Sequence, residues 1–137
     1  MKTGLRIEGF EEVDRNLEKL AEVADEKELR ALGREALRPV ADMAKELVRR
    51  RTGTLAESIR VGSRLSARQA ALAPPERGTV EVYVGPAPLP QAITEEFGTV
   101  NETGHPYMRP AWDAQLRNVL ERLRDGASAR LTRVTKG

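Results

Sequence analysis

Residues 95–114 read EEFGTVNETGHPYMRPAWDA, and this stretch decides how the second half of the chain folds. Pro106 and Pro110 restrict the backbone on either side of Tyr107, because proline fixes its own φ angle. Pro110 also suits the first turn of a helix, where its missing N–H costs nothing. The apolar residues that follow recur at helical spacing and predict a C-terminal amphipathic helix, namely Trp112, Leu116, Val119, Leu120 and Leu123. We expect Gly126 to end or weaken that helix.

Upstream, the pattern predicts two N-terminal helices. Apolar residues from Val13 to Ala24 fall on one helical face, and Asp25 is the expected N-cap of a longer second helix. Pro39 lies inside the second helix and predicts a kink or break, because proline removes a backbone donor. Residues 5–10, LRIEGF, alternate briefly and predict a short edge strand.

The middle of the chain predicts a small antiparallel sheet. Residues 58–65 and 79–84 alternate as strands do, and 66–78 is expected to be a flexible surface loop between them. Gly53 is the expected stop of the long helix. Residues 91–97 predict a short helix with Ala92, Ile93 and Phe97 buried.

The fold class that follows is α+β, with N-terminal helices, a small antiparallel β-sheet and a C-terminal amphipathic helix. We expect one domain over residues 1–137, with a loosely ordered tail at 127–137, because a chain of this length rarely builds two independent cores.

Composition narrows the functional classes. The 137 residues include no cysteine, so there is no disulfide framework or thiolate metal site. No apolar run is long enough to span a bilayer, and the N-terminus lacks the apolar stretch of a signal peptide. The net charge of +2 does not indicate a dedicated nucleic-acid binder. With only five aromatic residues, the core is mainly aliphatic, which hints that burial continues across an interface with other copies.

Residues that could carry chemistry do not form a recognisable pattern. His105 is the single histidine and is interpreted as structural or exposed. Glu95 and Glu96 are neighbours and point about 100° apart on a helix, so they do not converge as an acid–base pair would. We predict no catalytic, cofactor-binding or metal site. A small hydrolase would require groups to converge on His105.

The basic triplet Arg49–Arg51 has two interpretations. It could contact phosphates, or it could place cations at a helix C-terminus, where the helix dipole favours them. We prefer the second, because no aromatic residues that could stack on bases lie near it. A nucleic-acid-binding module that uses Arg49–Arg51 stays open as an alternative.

Three short motifs stand out as constrained turns with polar tips: RTGTLAESI at 51–59, EEFGT at 95–99 and HPYMRPAW at 105–112. Such turns lose little freedom on docking, which favours an assembly module. In this order, with V-x-V-G-P at 82–86 between the first two, they resemble T-G-x-L-x-x-S-I, E-F-G-T and P-F-L-R-P-A of the tail-component family of long-tailed bacteriophages. These proteins are also called neck or tail-completion proteins and are similar to the lambda minor tail protein Z. The resemblance covers residues 5–125. The sequence departs from the family pattern at Arg50, Tyr107 and Met108.

The resemblance implies a structural virion protein and not an enzyme. It implies a place at the head–tail junction, assembly in the host bacterial cytoplasm, and a homo-oligomeric ring of six or twelve copies that helps to join or finish the tail. The implied partners are a head-closure (stopper) protein, a tail terminator and the tail tube. The resemblance implies no contact with a membrane, and none with nucleic acid except the passing genome. A tail terminator that caps the tube is the alternative within this class.

The motifs also supply the expected interface and structural residues. We expect Phe97, Tyr107 and Trp112 to pack together, and Arg109 either to pair with an acid such as Glu96 or to extend along the surface. The full set of expected residues is Thr52, Gly53, Leu55, Ser58, Glu96, Phe97, Gly98, Thr99, Pro106, Tyr107, Arg109, Pro110 and Trp112.

Overall fold

The computed structural model describes residues 11–49, 53–62 and 80–136. Within these residues the chain forms five helices and one two-stranded antiparallel sheet, which confirms the predicted combination of N-terminal helices, small sheet and long C-terminal helix. In chain order the elements are α1 (Glu11–Val23), α2 (Glu26–Leu47), α3 (Thr54–Ser58), β1 (Arg60–Gly62), β2 (Tyr83–Gly85), α4 (Pro90–Phe97) and α5 (Met108–Lys136). The predicted edge strand at 5–10 and loop at 66–78 lie outside the described residues.

The helices α1 and α2 form where the sequence predicts them. The carboxylate of Asp25 accepts a hydrogen bond from the backbone N–H of Glu28 at 2.9 Å, which confirms Asp25 as the N-cap of α2. Both helices pack against α5. Leu20 of α1, Leu32 of α2 and Ala127 of α5 are buried together in a small core cluster.

The helix α2 is continuous through Pro39, so the predicted break is wrong. Proline has no N–H to donate to the carbonyl of Glu35, four residues earlier. The guanidinium of Arg122, on α5, donates to that carbonyl at 3.2 Å. A contact from the neighbouring helix thus satisfies the backbone group that Pro39 leaves free, and α2 continues to Leu47.

The helix α5 also continues where an end was predicted. It passes through Gly126 to Lys136, so residues 127–136 extend the helix instead of forming a loose tail. A Cβ on Gly126 would lie 2.4 Å from Cδ1 of Leu32, so the glycine lets α2 approach closely. Beyond it, Arg130 binds Glu28 of α2 at 2.8 Å. Tertiary packing therefore outweighs the low helix propensity of glycine.

The connection from α2 to the sheet differs in detail from the prediction. The helix α2 ends at Leu47 with Val48 in an extended conformation, so Gly53 is not its stop. Gly53 does take a positive φ of 76°, but at the start of α3. Because residues 54–58 are helical, β1 begins at Arg60 and not at Ser58.

The predicted antiparallel pairing of the two strands is confirmed. In the register of the sheet, Val61 faces Val84 and Arg60 faces Gly85. The second strand is Tyr83–Gly85, and residues 80–82, which were predicted to belong to it, lie outside it. The sheet packs on α2, beside the main core cluster, which is built largely of small and β-branched side chains, including Ala36, Val40, Ala44, Ile59, Ala111 and Val119.

Candidate functional site

The segment from α4 to α5 contains two of the three motifs, and its turn depends on two glycines. Gly98 ends α4 with a φ of 83°, a conformation that only glycine adopts without strain. A Cβ on Gly98 would lie 2.5 Å from the backbone nitrogen of Gly104. Thr99 closes the turn, because its N–H donates to the carbonyl of Glu102 at 2.8 Å. The EFGT motif therefore encodes a tight turn that brings the two glycine backbones together.

Glu96 caps the N-terminus of α5. Its carboxylate accepts hydrogen bonds from the backbone N–H groups of Tyr107 at 3.0 Å, Met108 at 2.8 Å and Arg109 at 3.3 Å. These groups have no partner within the helix, and a negative charge at this end favours the helix dipole. A side chain from the end of α4 thus fixes the start of α5, eleven to thirteen residues further along the chain.

Tyr107 is buried between α4 and α5. It is 1% exposed, and its hydroxyl donates to the carbonyl of Ala92 at 2.9 Å. Burial, with smaller contributions from Glu96 and Glu95, raises the pKa of Tyr107 to about 12. Pro106, which precedes it, is exposed. Tyr107 therefore anchors the segment between the two prolines in the core.

Trp112 lies one turn further along α5. It is half-buried and packs on the main core cluster, of which Tyr107 is a member. Pro110 lies in the first turn of α5, as predicted, and is exposed.

Arg49 connects the end of α2 to this turn. Its guanidinium donates to both oxygens of Glu95, with the Nη2–Oε2 distance at 3.1 Å, and to Glu102 at 3.2 Å. Hydrogen bonding to Glu95 raises the pKa of Arg49 above its ordinary value. The backbone N–H of His105 donates to the carbonyl of Glu95 at 2.7 Å. Arg49 thus serves the fold, and its charge is already matched by two carboxylates.

The first motif has a comparable structural role. Leu55 and Ile59 are buried in the main core. The hydroxyl of Ser58 donates to the carbonyl of Leu55 at 2.7 Å and accepts from the N–H of Ala87 at 3.2 Å. Ser58 therefore links α3 to the segment that follows β2, which joins the first motif to V-x-V-G-P. Thr52 lies outside the described residues.

Two predictions about buried side chains in α4 are wrong. Ile93 is 67% exposed and Phe97 is 77% exposed, so Phe97 does not pack with Tyr107 and Trp112. The helix is eight residues long and buries only Ala92, as one short helical face can bury little. Val100, in the turn, is also fully exposed. These three side chains, Ile93, Phe97 and Val100, are called the apolar ridge below.

The expected pairing of Arg109 with Glu96 takes a different form. Glu96 accepts the backbone N–H of Arg109, whereas the side chain of Arg109 is exposed and forms no ion pair with any described residue. Helical propensity and motif spacing could not reveal this contact, because the residues lie on separate helices. Glu96 lies eleven residues before Tyr107, so no local sequence signal marks it as the cap of α5.

A second apolar feature was not predicted. Between α1, α2 and α5 lies a groove of about 510 Å³, lined by residues that include Leu17, Leu37, Val82, Trp112, Leu116 and Leu120. It is called the apolar groove below. Gly33 lets Val82 form part of its wall, because a Cβ on Gly33 would lie 2.6 Å from Cγ2 of Val82.

The acidic side chains at this site are engaged in contacts within the fold. Glu95 and Glu96 are adjacent, but one binds a guanidinium and the other caps a helix. Among residues 11–49, 53–62 and 80–136, no group of three or more His, Cys, Asp or Glu side chains could hold a metal ion. None of the helices in the same ranges is long and apolar enough to cross a membrane.

Comparison with known proteins agrees with the resemblance found in the sequence. Residues 11–88 match the family described as "Bacteriophage HK97-gp10, putative tail-component". The matched range includes RTGTLAESI and V-x-V-G-P and ends before EEFGT. Searches of curated proteins and of solved structures found no match. Because the family match spans more than half of the 137 residues, the chain belongs to the HK97-gp10-like family of phage tail components.

Proposed function

We propose that this protein is a structural virion component that assembles as a ring at the head–tail connection and helps to join or finish the tail. Membership of a phage tail-component family supports the general class. The observation that carries the specific proposal is the apolar ridge, which the fold holds outward: Phe97 is 77% and Val100 103% exposed.

The ridge is held on a stiff support. Glu96 ties the end of α4 to the first turn of α5, and Arg49 ties Glu95 to the end of α2. Gly98 and Gly104 pack backbone against backbone beneath the turn. A surface that is already ordered loses little conformational entropy when it binds, so such a ridge favours docking to another protein. Large exposed apolar side chains that lie together commonly mark interaction sites.

The same contacts argue for a role without catalysis. The polar side chains beneath the ridge are committed to the fold, because Glu96 caps α5 and the hydroxyl of Tyr107 binds a backbone carbonyl. The proposed partners are further copies of this chain and the neighbouring head-closure, tail-terminator and tail-tube proteins. The proposed location is the head–tail junction of the virion, after assembly in the host cytoplasm.

Two measurements test this proposal. Cryo-electron microscopy of intact particles that carry a tagged copy of the protein should show density at the junction between capsid and tail, arranged as a closed ring. Mass measurement of the purified protein, alone and with tail-tube subunits, should show a species larger than the 15.2 kDa chain. Density elsewhere in the particle, or a monomer in both samples, would refute the proposal. Density only at the far end of a completed tube would favour the tail-terminator alternative.

The nucleic-acid alternative loses support from the position of Arg49. Its guanidinium already donates to Glu95 and Glu102, so binding a phosphate would require those contacts to break. Arg50 and Arg51 lie outside the described residues. A steep dependence of DNA binding on salt concentration, lost when all three arginines are replaced, would restore this alternative.

A further inference from the structure

We infer that the apolar groove of one copy receives the apolar ridge of the next copy, so that the subunits join head to tail. This inference rests on the proposed ring and deepens it, because it names the two surfaces that meet. It starts from two unsatisfied apolar features on the same chain. One is convex, with Ile93 and Phe97 four residues apart on one face of α4, and the other is concave.

The groove suits an apolar partner by its chemistry. Its walls are formed by side chains such as Leu37, Trp112 and Leu120, and it presents few polar groups that a polar ligand could bind. Its volume of about 510 Å³ is ample for an aromatic ring, since a cavity of roughly 150 Å³ holds benzene. The side chain of Phe97 together with that of Ile93 therefore fits the space as well as the polarity of the groove.

The positions of the two features exclude contact within one chain and determine the kind of interface. Ile93 is 67% and Phe97 77% exposed in the single chain, and neither lines the groove. The ridge of one chain therefore does not fill its own groove. A contact between different patches on two copies is heterologous, and a heterologous contact produces a ring when its rotation closes.

The absence of cysteine from the chain permits a direct test. Two single variants, F97C on the ridge and L120C in the groove, are purified separately, mixed and oxidised. A disulfide requires Cα atoms within about 7 Å, so the inference predicts a mixed F97C–L120C dimer in high yield. The matched control is V23C, because Val23 is 54% exposed and does not line the groove, and it should not link to L120C. Linkage of F97C to itself in preference to L120C would overturn the inference.

A second measurement does not depend on cysteine chemistry. Phe97→Ser should weaken self-association about ten- to a hundredfold, as expected when a buried aromatic side chain is lost from an interface. At concentrations where both proteins are monomeric, its melting temperature should match that of the wild type, because Phe97 is mostly exposed in the single chain. Val23→Ser is the control and should leave self-association unchanged. Unchanged association of Phe97→Ser would overturn the inference.

The outcomes separate this inference from the proposed function. If particles show a ring at the junction but F97C and L120C do not cross-link, the proposed function stands and the ridge-to-groove contact is wrong. If the cross-link forms but the protein lies elsewhere in the particle, the contact stands and the proposed location is wrong.

Discussion

Removal of the Glu96 carboxylate offers the sharpest test of how the fold supports its exposed ridge. In Glu96→Ala, the N–H groups of Tyr107, Met108 and Arg109 lose their shared acceptor. Loss of a helix cap costs about 0.5–2 kcal/mol, and loss of a partly buried charge at a helix N-terminus up to about 2 kcal/mol more. We therefore expect the free energy of unfolding to fall by about 3 kcal/mol.

The expected change is large enough to measure by thermal and urea unfolding. For 137 residues, at about 2.1 cal/mol/K per residue, a loss of about 3 kcal/mol lowers the melting temperature by about 10 °C. Glu96→Gln retains an acceptor without the charge and should fall between Glu96→Ala and wild type. Glu121→Ala is the control, because Glu121 is exposed on α5, and it should change stability by less than about 0.5 kcal/mol. If Glu96→Ala is no less stable than Glu121→Ala, the capping role is refuted.

Three further predictions concern the backbone and the core. Gly98→Ala should lower the free energy of unfolding, measured in urea, by about 3 kcal/mol or more, because alanine is strained at a φ of 83° and its Cβ would collide with the backbone of Gly104. A smaller loss would refute the tight turn. The free energy of unfolding of the wild type should fall as pH rises from about 10 to 12, because Tyr107, with its pKa raised to about 12, stays protonated in the folded chain while the unfolded chain ionises. Tyr107→Phe, which also loses the hydrogen bond to the carbonyl of Ala92, should flatten that fall. Arg122→Met should lower the free energy of unfolding by about 1 kcal/mol in the wild type but have little effect in a Pro39→Ala background, where the backbone N–H of residue 39 can donate to the carbonyl of Glu35. Equal losses in both backgrounds would contradict the role of Arg122 as a substitute donor.

The helices could be predicted from local pattern, because their signals lie within a few residues of one another. The N-cap at Asp25 and the amphipathic spacing of α5 are of this kind. The errors at Pro39 and Gly126 share one cause. Each residue disfavours a helix locally, and each is accommodated by a side chain from another helix, Arg122 in one case and Leu32 in the other. Such partners are distant in sequence and cannot be read from a window of residues.

The candidate site was predicted in part. The motifs include Glu96, Gly98 and Tyr107, which the structure places at the junction of α4 and α5. The sequence could not show their roles, because a helix cap supplied from eleven residues away leaves no periodic pattern. Phe97 was predicted to be a buried position of a short helix, with Ala92 and Ile93, yet aromatic side chains are also the usual anchors of interfaces. The walls of the apolar groove come from three helices and from Val82 in a loop, so no single segment of the sequence indicates the groove.

The dependence of α1 and α2 on α5 has a consequence for synthesis. Leu20 and Leu32 share their core cluster with Ala127, near the end of α5. Until that last helix has been translated, Leu20 and Leu32 lack the third member of their core cluster. This cluster is therefore completed only after Ala127 has been translated. Messenger RNAs truncated before α5 should yield aggregation-prone fragments that the host's chaperones and proteases remove.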